Sequence, residues 1–322
     1  MFAKMNNRQM AAGYSLGGIC AGAALMLVIG AVMGASEPRS FDSGRDAVNA
    51  FVTALKEKNE NELLMIFGSD ANDLINSGDK VADAQLRIRF LNAYDEKHSL
   101  EAEGNSLTLV VGPNDWPFPI PIVKEEEQWF FDTAAGAEEI LNRRVGRNEL
   151  DTIQVMLAIV DAQREYARSD HDGDGLIAYA EKFKSDPNEK NGLYWPTKEG
   201  ENSSPLGPLV AQARTEGYFR GEAAEGPQPY HGYYYRILAG QGKNAAGGAF
   251  DYIVNGKMVG GFAVVAWPAE YGNSGVMTFI VNHEGMVYQK DLRENTAQAA
   301  QKMKVFDPDD TWEKVRPKEK KI

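Results

Sequence analysis

Residues 276–289, VMTFIVNHEGMVYQ, decide the fold of the second half of this chain. Two β-branched and aromatic runs, 276–281 and 286–289, flank a tight turn ending in Gly285, so they read as neighbouring antiparallel strands. Working outward, YYYRIL at 233–238, FDYIV at 250–254 and GFAVVA at 261–266 are strands of the same kind, and Asn255-Gly256 is a second hairpin turn. Ahead of them Leu150, Ile153, Met156, Leu157 and Val160 recur at helical spacing. Asn148 is placed to cap that helix, with Glu149 and Asp151 at the positive end of its dipole. A long helix followed by an antiparallel meander is an α+β arrangement.

The first half repeats the order. Ser43, with Asp46 three residues on, opens a helix whose apolar stripe is Ala47, Val48, Phe51, Val52 and Leu55. A second helix over 60–67, a polar loop over 68–79 and a helical face at Leu86, Phe90, Leu91 and Tyr94 come next. The runs 107–111, 120–123 and 128–131 then read as strands, the last two joined by the polar turn KEEE at 124–127. The expected organisation is therefore a leader over 1–36, an α+β domain over 41–147, a second α+β domain over 148–312 and a basic tail over 313–322.

Lys4 and Arg8 precede an apolar run from Leu16 to Ala35 that ends in small residues, the order of an export signal. The run approaches the ~20 residues needed to cross a bilayer, so cleavage and retention as an N-terminal anchor both stay open. Either way, the expected location of the body is the periplasm or cell envelope. The single cysteine, Cys20, lies in that run, which leaves the body without a thiol for disulfide, zinc or nucleophilic chemistry. With 46 acidic against 34 basic residues the formal charge is −12, a poor match to a phosphate backbone. Nucleic acid is excluded as a partner on that ground, and an envelope component or protein partner is expected instead.

The residues with the most specific chemistry are DHDGDGLIAYAE, 170–181. A hard divalent cation such as calcium takes six to eight oxygens, which a twelve-residue loop supplies from its first, third, fifth, seventh and twelfth positions, with glycine at the sixth. Asp170, Asp172, Asp174, Leu176 (through its carbonyl) and Glu181 fill those places, Gly175 is the glycine, and Ile177 is the apolar residue expected to tie the loop to the body. His171 is expected to point outward. An acidic, glycine-rich surface turn is the competing reading. No second loop follows over 183–195, so a bound Ca2+ would be structural rather than sensory.

Three resemblances add to this. The opening helices and the closing WFFD at 129–132 are similar to the NTF2-like or cystatin-like cone. The helix and meander from Glu149 to Asp291, above all TFIVNHEGMV at 278–287, resemble the globular part of type IV pilin-like proteins. Across nearly the whole body, DWPFPI at 115–120, FDTAAG at 131–136, RNEL at 147–150, GLYWP at 192–196, PYHGYYYR at 229–236 and AWPAEYGNSG at 266–275 resemble an exported bacterial family of unknown function, DUF2950. That resemblance implies an envelope location and no activity.

An enzymatic reading rests on GNSG, 272–275, which is similar to the nucleophile loop of chymotrypsin-like proteases, with His231, Asp251 and Ser274 in that chain order. Separations of about twenty residues leave no room for the two barrels that hold such a triad. Aromatic residues on loops, namely Trp195, Tyr230, Trp267 and Tyr271, together with His231, are candidates for ligand binding, the alternative being that they cap the sheet. The sequence thus points to a non-enzymatic envelope protein that binds or scaffolds. A hydrolase of envelope polymers and a pilin-like assembly subunit are the competing hypotheses.

Overall fold

The computed structural model describes residues 37–198, 200–218 and 227–315. The expected leader, 1–36, and the end of the basic tail, 316–322, lie outside the described residues. At the start of the body, Ser43 Oγ accepts the Asp46 amide at 3.1 Å. Helix α1 (Gly44–Glu57) follows and buries Ala47, Val48, Phe51, Val52 and Leu55, the stripe that helical spacing predicts. Asn59 caps α2 (Glu60–Phe67) through the Glu62 amide. The polar stretch after it folds into a 3-10 turn, Ser69–Ala71, and the single turn α3 (Asn72–Ile75). Asp79 then caps α4 (Lys80–Glu96), its Oδ1 accepting the Val81 and Ala82 amides at 3.1 and 3.0 Å.

Strands β1 (His98–Glu103), β2 (Ser106–Val111), β3 (Trp116–Pro117), β4 (Ile122–Glu125) and β5 (Gln128–Phe131) form one antiparallel sheet. Its order is β1-β2-β4-β5, with β3 paired to β2. His98 begins β1. That mostly exposed strand has little apolar alternation of its own and is held by its register on β2, Leu100 opposite Leu109. Phe51, Ile66, Leu109, Ile122 and Phe131 are the buried centre of this half.

The main departure from the sequence reading is α5 (Thr133–Tyr166), one unbroken helix of 34 residues capped by Asp132. The expected helix start at Asn148, and with it the expected boundary between 147 and 148, falls in mid-helix. Residues 133–147 hold two glycines but are otherwise rich in good helix formers, Ala134, Ala135, Ala137, Glu138, Glu139, Leu141, Arg143, Arg144 and Arg147, so local propensity agrees with a helix that the sequence reading did not assign. It packs closely: a Cβ on Gly136 would come within 2.7 Å of Ile120 Cα, so the helix lies directly on the β3–β4 connection. Asn148 Nδ2 donates to the Ser274 carbonyl at 2.9 Å instead of capping. Glu149 Oε1 accepts the Val276 and Met277 amides at 3.0 and 2.9 Å.

Beyond α5 the chain runs irregularly to α6 (Gly207–Thr215). Strands β6 (Tyr233–Leu238), β7 (Gly240–Gln241), β8 (Phe250–Asp251), β9 (Ile253–Val254), β10 (Lys257–Met258), β11 (Ala263–Pro268), β12 (Met277–Asn282) and β13 (Val287–Asp291) lead to α7 (Thr296–Lys302), β14 (Val305–Phe306) and β15 (Glu313–Lys314). The principal sheet is antiparallel in the order β15-β13-β12-β11-β6. Every residue of β11 is buried, which requires cover on both faces. Asn255 and Gly256, both at positive φ, turn the β9–β10 hairpin as the Asn-Gly pair predicts. The run 250–254 is split between two small sheets, and the β7–β14 pair is parallel. The tail expected from 313 is not frayed at its start, because Glu313 and Lys314 pair with Gln289 and Tyr288.

Helices packed with antiparallel sheets make the molecule α+β, as the alternation of helical and strand patterns predicts. The described residues belong to one compact unit with two apolar cores. No helix among the described residues is long and apolar enough to cross a membrane.

Candidate functional site

The loop that follows α5 is built from its own side chains. Asp170 Oδ1 accepts the Gly173 amide at 2.8 Å and the Asp172 amide at 3.3 Å, its Oδ2 accepts the Gly175 amide at 2.8 Å, and Asp174 Oδ1 accepts the Leu176 amide at 2.9 Å. Gly173 and Gly175 have φ of +76° and +86°, which only glycine adopts without cost. Oxygens of Asp170, Asp172 and Asp174 lie within 4.8 Å of one another, the convergence a hard cation needs.

A cation of the protein's own stands there. Lys257 Nζ, from β10, donates to Asp172 Oδ2 at 2.6 Å and contacts Asp174 Oδ2. The Gly175 and Gly173 amides hold the Asp170 carboxyl below its ordinary range, Lys257 does the same for Asp174, and Asp172 and Asp174 push the Lys257 ammonium upward. The donor chemistry therefore fits a divalent ion at the first three positions.

The rest of the loop departs from the twelve-residue pattern. Glu181 is exposed and is not a member of the carboxylate cluster, and no second helix returns it. The chain leaves the loop extended: Tyr179 donates its amide to Met258 O, and the buried Gln163 side chain clasps both the amide and the carbonyl of Ala180 at 2.9 and 2.8 Å. Ile177, expected to anchor the loop, is 50% exposed and Leu176 53%. His171, expected to point outward, stacks on Tyr166 at 4.0 Å and bonds to the Tyr166 carbonyl. Burial, and then Asp172, pushes the Tyr166 hydroxyl up to about 12.

The five aromatic-loop candidates are scattered. Trp195 packs on the Tyr166–His171 pair. Tyr230 and His231 contact each other and Tyr218, and the His231 ring lies between Asp151 and Glu216 at 3.7 and 3.6 Å. Trp267 is buried beside Tyr234, and Tyr271 donates to Asp291. No hydrogen bond joins His231, Asp251 and Ser274. The Ser274 hydroxyl is buried, donating to the Glu270 carbonyl at 3.1 Å and accepting the Glu270 amide at 2.9 Å.

Two features were not found from sequence. The first is a half-open cavity of about 400 Å³ between α1, α4, α5 and β2–β3, lined by phenylalanines and by five arginines, Arg87, Arg89, Arg143, Arg144 and Arg147. None of the aromatic-loop candidates lines it. The second is a seam of buried polar bonds between segments far apart in the chain. Asp79 Oδ2 accepts from Tyr218 Oη at 2.7 Å and from the Gly232 amide at 2.9 Å. Arg144 donates to the carbonyls of Asp73 and Leu74 and to Asn273 Oδ1. The only local signals were an Asp that could cap a helix and a run of arginines on α5, neither of which names its partner.

The described residues form an α+β protein with an acidic loop at 170–181 and an apolar cavity whose lining includes five arginines. The family model described as protein of unknown function (DUF2950) matches residues 38–315, and the chain belongs to that family. No curated protein and no solved structure matches it significantly.

Proposed function

We propose that this chain is a non-enzymatic exported protein of the cell envelope that binds or scaffolds a partner, and that its 170–181 loop takes one structural calcium ion. The observation that carries the metal reading is the clustering of Asp170, Asp172 and Asp174, whose oxygens lie within 4.8 Å of one another, two of them paired with Lys257. Calcium would be held by those carboxylates and the Leu176 carbonyl, with Glu181 drawn in to complete the oxygen set, and it would staple the end of α5 to the β9–β10 hairpin. The apolar leader supports export. Within this reading the first half is an NTF2-like cone and the second a pilin-like module.

Calorimetric titration with calcium is the direct test. Binding by the wild-type chain, lost in Asp172→Ala and weakened in Glu181→Ala, is the expected result, with a melting temperature that rises on adding calcium. Identical heats for all three proteins would refute the site. Fractionation of cells expressing the tagged chain should place it outside the cytosol.

A further inference from the structure

Five arginines contribute to the lining of an apolar cavity in a molecule whose formal charge is −12. The cavity wall is built from the ring cluster of Phe51, Phe67, Phe90 and Phe118, with centroids as close as 5.1 Å, which supplies an apolar interior. Of the arginines, Arg87 is paired with Glu60, and Arg143 with Glu139 while lying over the Trp116 ring. Arg89 and Arg147 have no hydrogen bond or salt bridge among the described residues; burial and then Arg89 disfavour the charge on Arg147, while Asp151 and Asp83 favour it. Arg144 is 95% buried, being 5% exposed, and its Nε has no partner although both terminal nitrogens are bonded. Two exposed cations without a directly bonded partner, on a cavity lining that holds five arginines and one acid, give that edge a positive potential that an anion would complement. The single acid in the lining, Asp83, is committed: it accepts the Ser77 amide at 3.0 Å and faces Arg144 and Arg87.

We propose that this cavity binds one small amphipathic anion, its carboxylate or phosphate head against Arg89 and Arg147 and its single acyl chain among Phe51, Phe90 and Phe118. The volume lies in the range of small-molecule sites, about 300–1,000 Å³, and at its lower end suits one chain better than the two of a diacyl phospholipid. Arginine is the residue suited to either head, because its planar fork matches carboxylate and phosphate oxygens. The proposal deepens the binding part of the reading above and is independent of the calcium loop.

The test is displacement of a fluorescent fatty acid from the full chain by palmitate, lysophosphatidate, palmityl alcohol and acetate. Palmitate or lysophosphatidate should displace the probe, and the tighter of the two identifies the head. Palmityl alcohol should be at least tenfold weaker, acetate should have no effect, and each methylene added to a shorter acid should tighten binding roughly two- to fourfold until the cavity is full. The double variant Arg89→Ala/Arg147→Ala, two exposed and unbonded side chains, should lose at least tenfold for the acid and nothing for the alcohol. Equal affinity for acid and alcohol, an unchanged affinity in the double variant, or no displacement by any chain would overturn the proposal. Calcium titration of the same sample reads the loop separately, so either reading can fail alone.

Discussion

Lys257 is where a single residue has the most influence on the acidic loop, because calcium has to displace its ammonium from Asp172 and Asp174. Lys257→Met should therefore bind calcium several-fold more tightly than wild type by calorimetry; weaker binding would mean that the lysine shapes the site instead of competing for it. The pH dependence follows from the shifted groups. Asp170 and Asp174 have folded pKa values below their unfolded ones, so what they contribute is present above about pH 4 and is lost as pH falls through the folded values. Lys257, shifted upward, keeps its charge throughout the neutral range. Calcium affinity should accordingly be flat around neutrality and collapse below roughly pH 4. Asp79 is the structural counterpart. Its carboxylate satisfies two helix amides, one loop amide and the Tyr218 hydroxyl. Asp79→Ala should cost roughly 2–4 kcal/mol in denaturant unfolding, since it removes a helix cap and leaves buried donors unpaired.

Among the elements, α5 tests how far local preference matters. Gly146 and Gly136 sit in the same helix, but a Cβ at Gly146 meets nothing within 4 Å, whereas one at Gly136 meets Ile120 Cα and the Pro119 carbonyl at 2.7 Å. Gly146→Ala should stabilise the protein by about 0.5–1 kcal/mol through helix propensity, and Gly136→Ala should destabilise it by displacing the β3–β4 connection. Thermal melts of the pair read both signs, and a shared sign would show that propensity or packing alone governs the helix. The elements legible in sequence were those whose burial follows a period: α1, with its stripe of five apolar residues, and β6, β11 and β12 with their β-branched runs. Strands β1 and β15 carry no such period, and partners elsewhere in the chain hold them in place.

Over the whole molecule, α5 contributes Ile140 to the margin of the first core and Val155, Met156, Ile159 and Val160 to the second. The seam adds Asp79 to Gly232, Arg144 to Asn273 and Asn148 to the Ser274 carbonyl. A helix shared by two cores, reinforced by buried polar bonds, couples their unfolding. Urea unfolding followed by tryptophan fluorescence and by far-ultraviolet circular dichroism should therefore trace one coincident transition. Two separated transitions would show that each core is stable without the other.

The α+β class, the strand runs with their turns, and the loop over 170–181 are legible along the chain, because each depends on residues that are neighbours in it or repeat along it. What those pieces meet is set by tertiary packing. It brings Lys257 to a carboxylate 85 positions away, places the arginines of α4 and α5 around one cavity, and leaves Glu181 outside the acidic cluster. Such contacts come from packing distant segments against each other, and no spacing in a single chain encodes them.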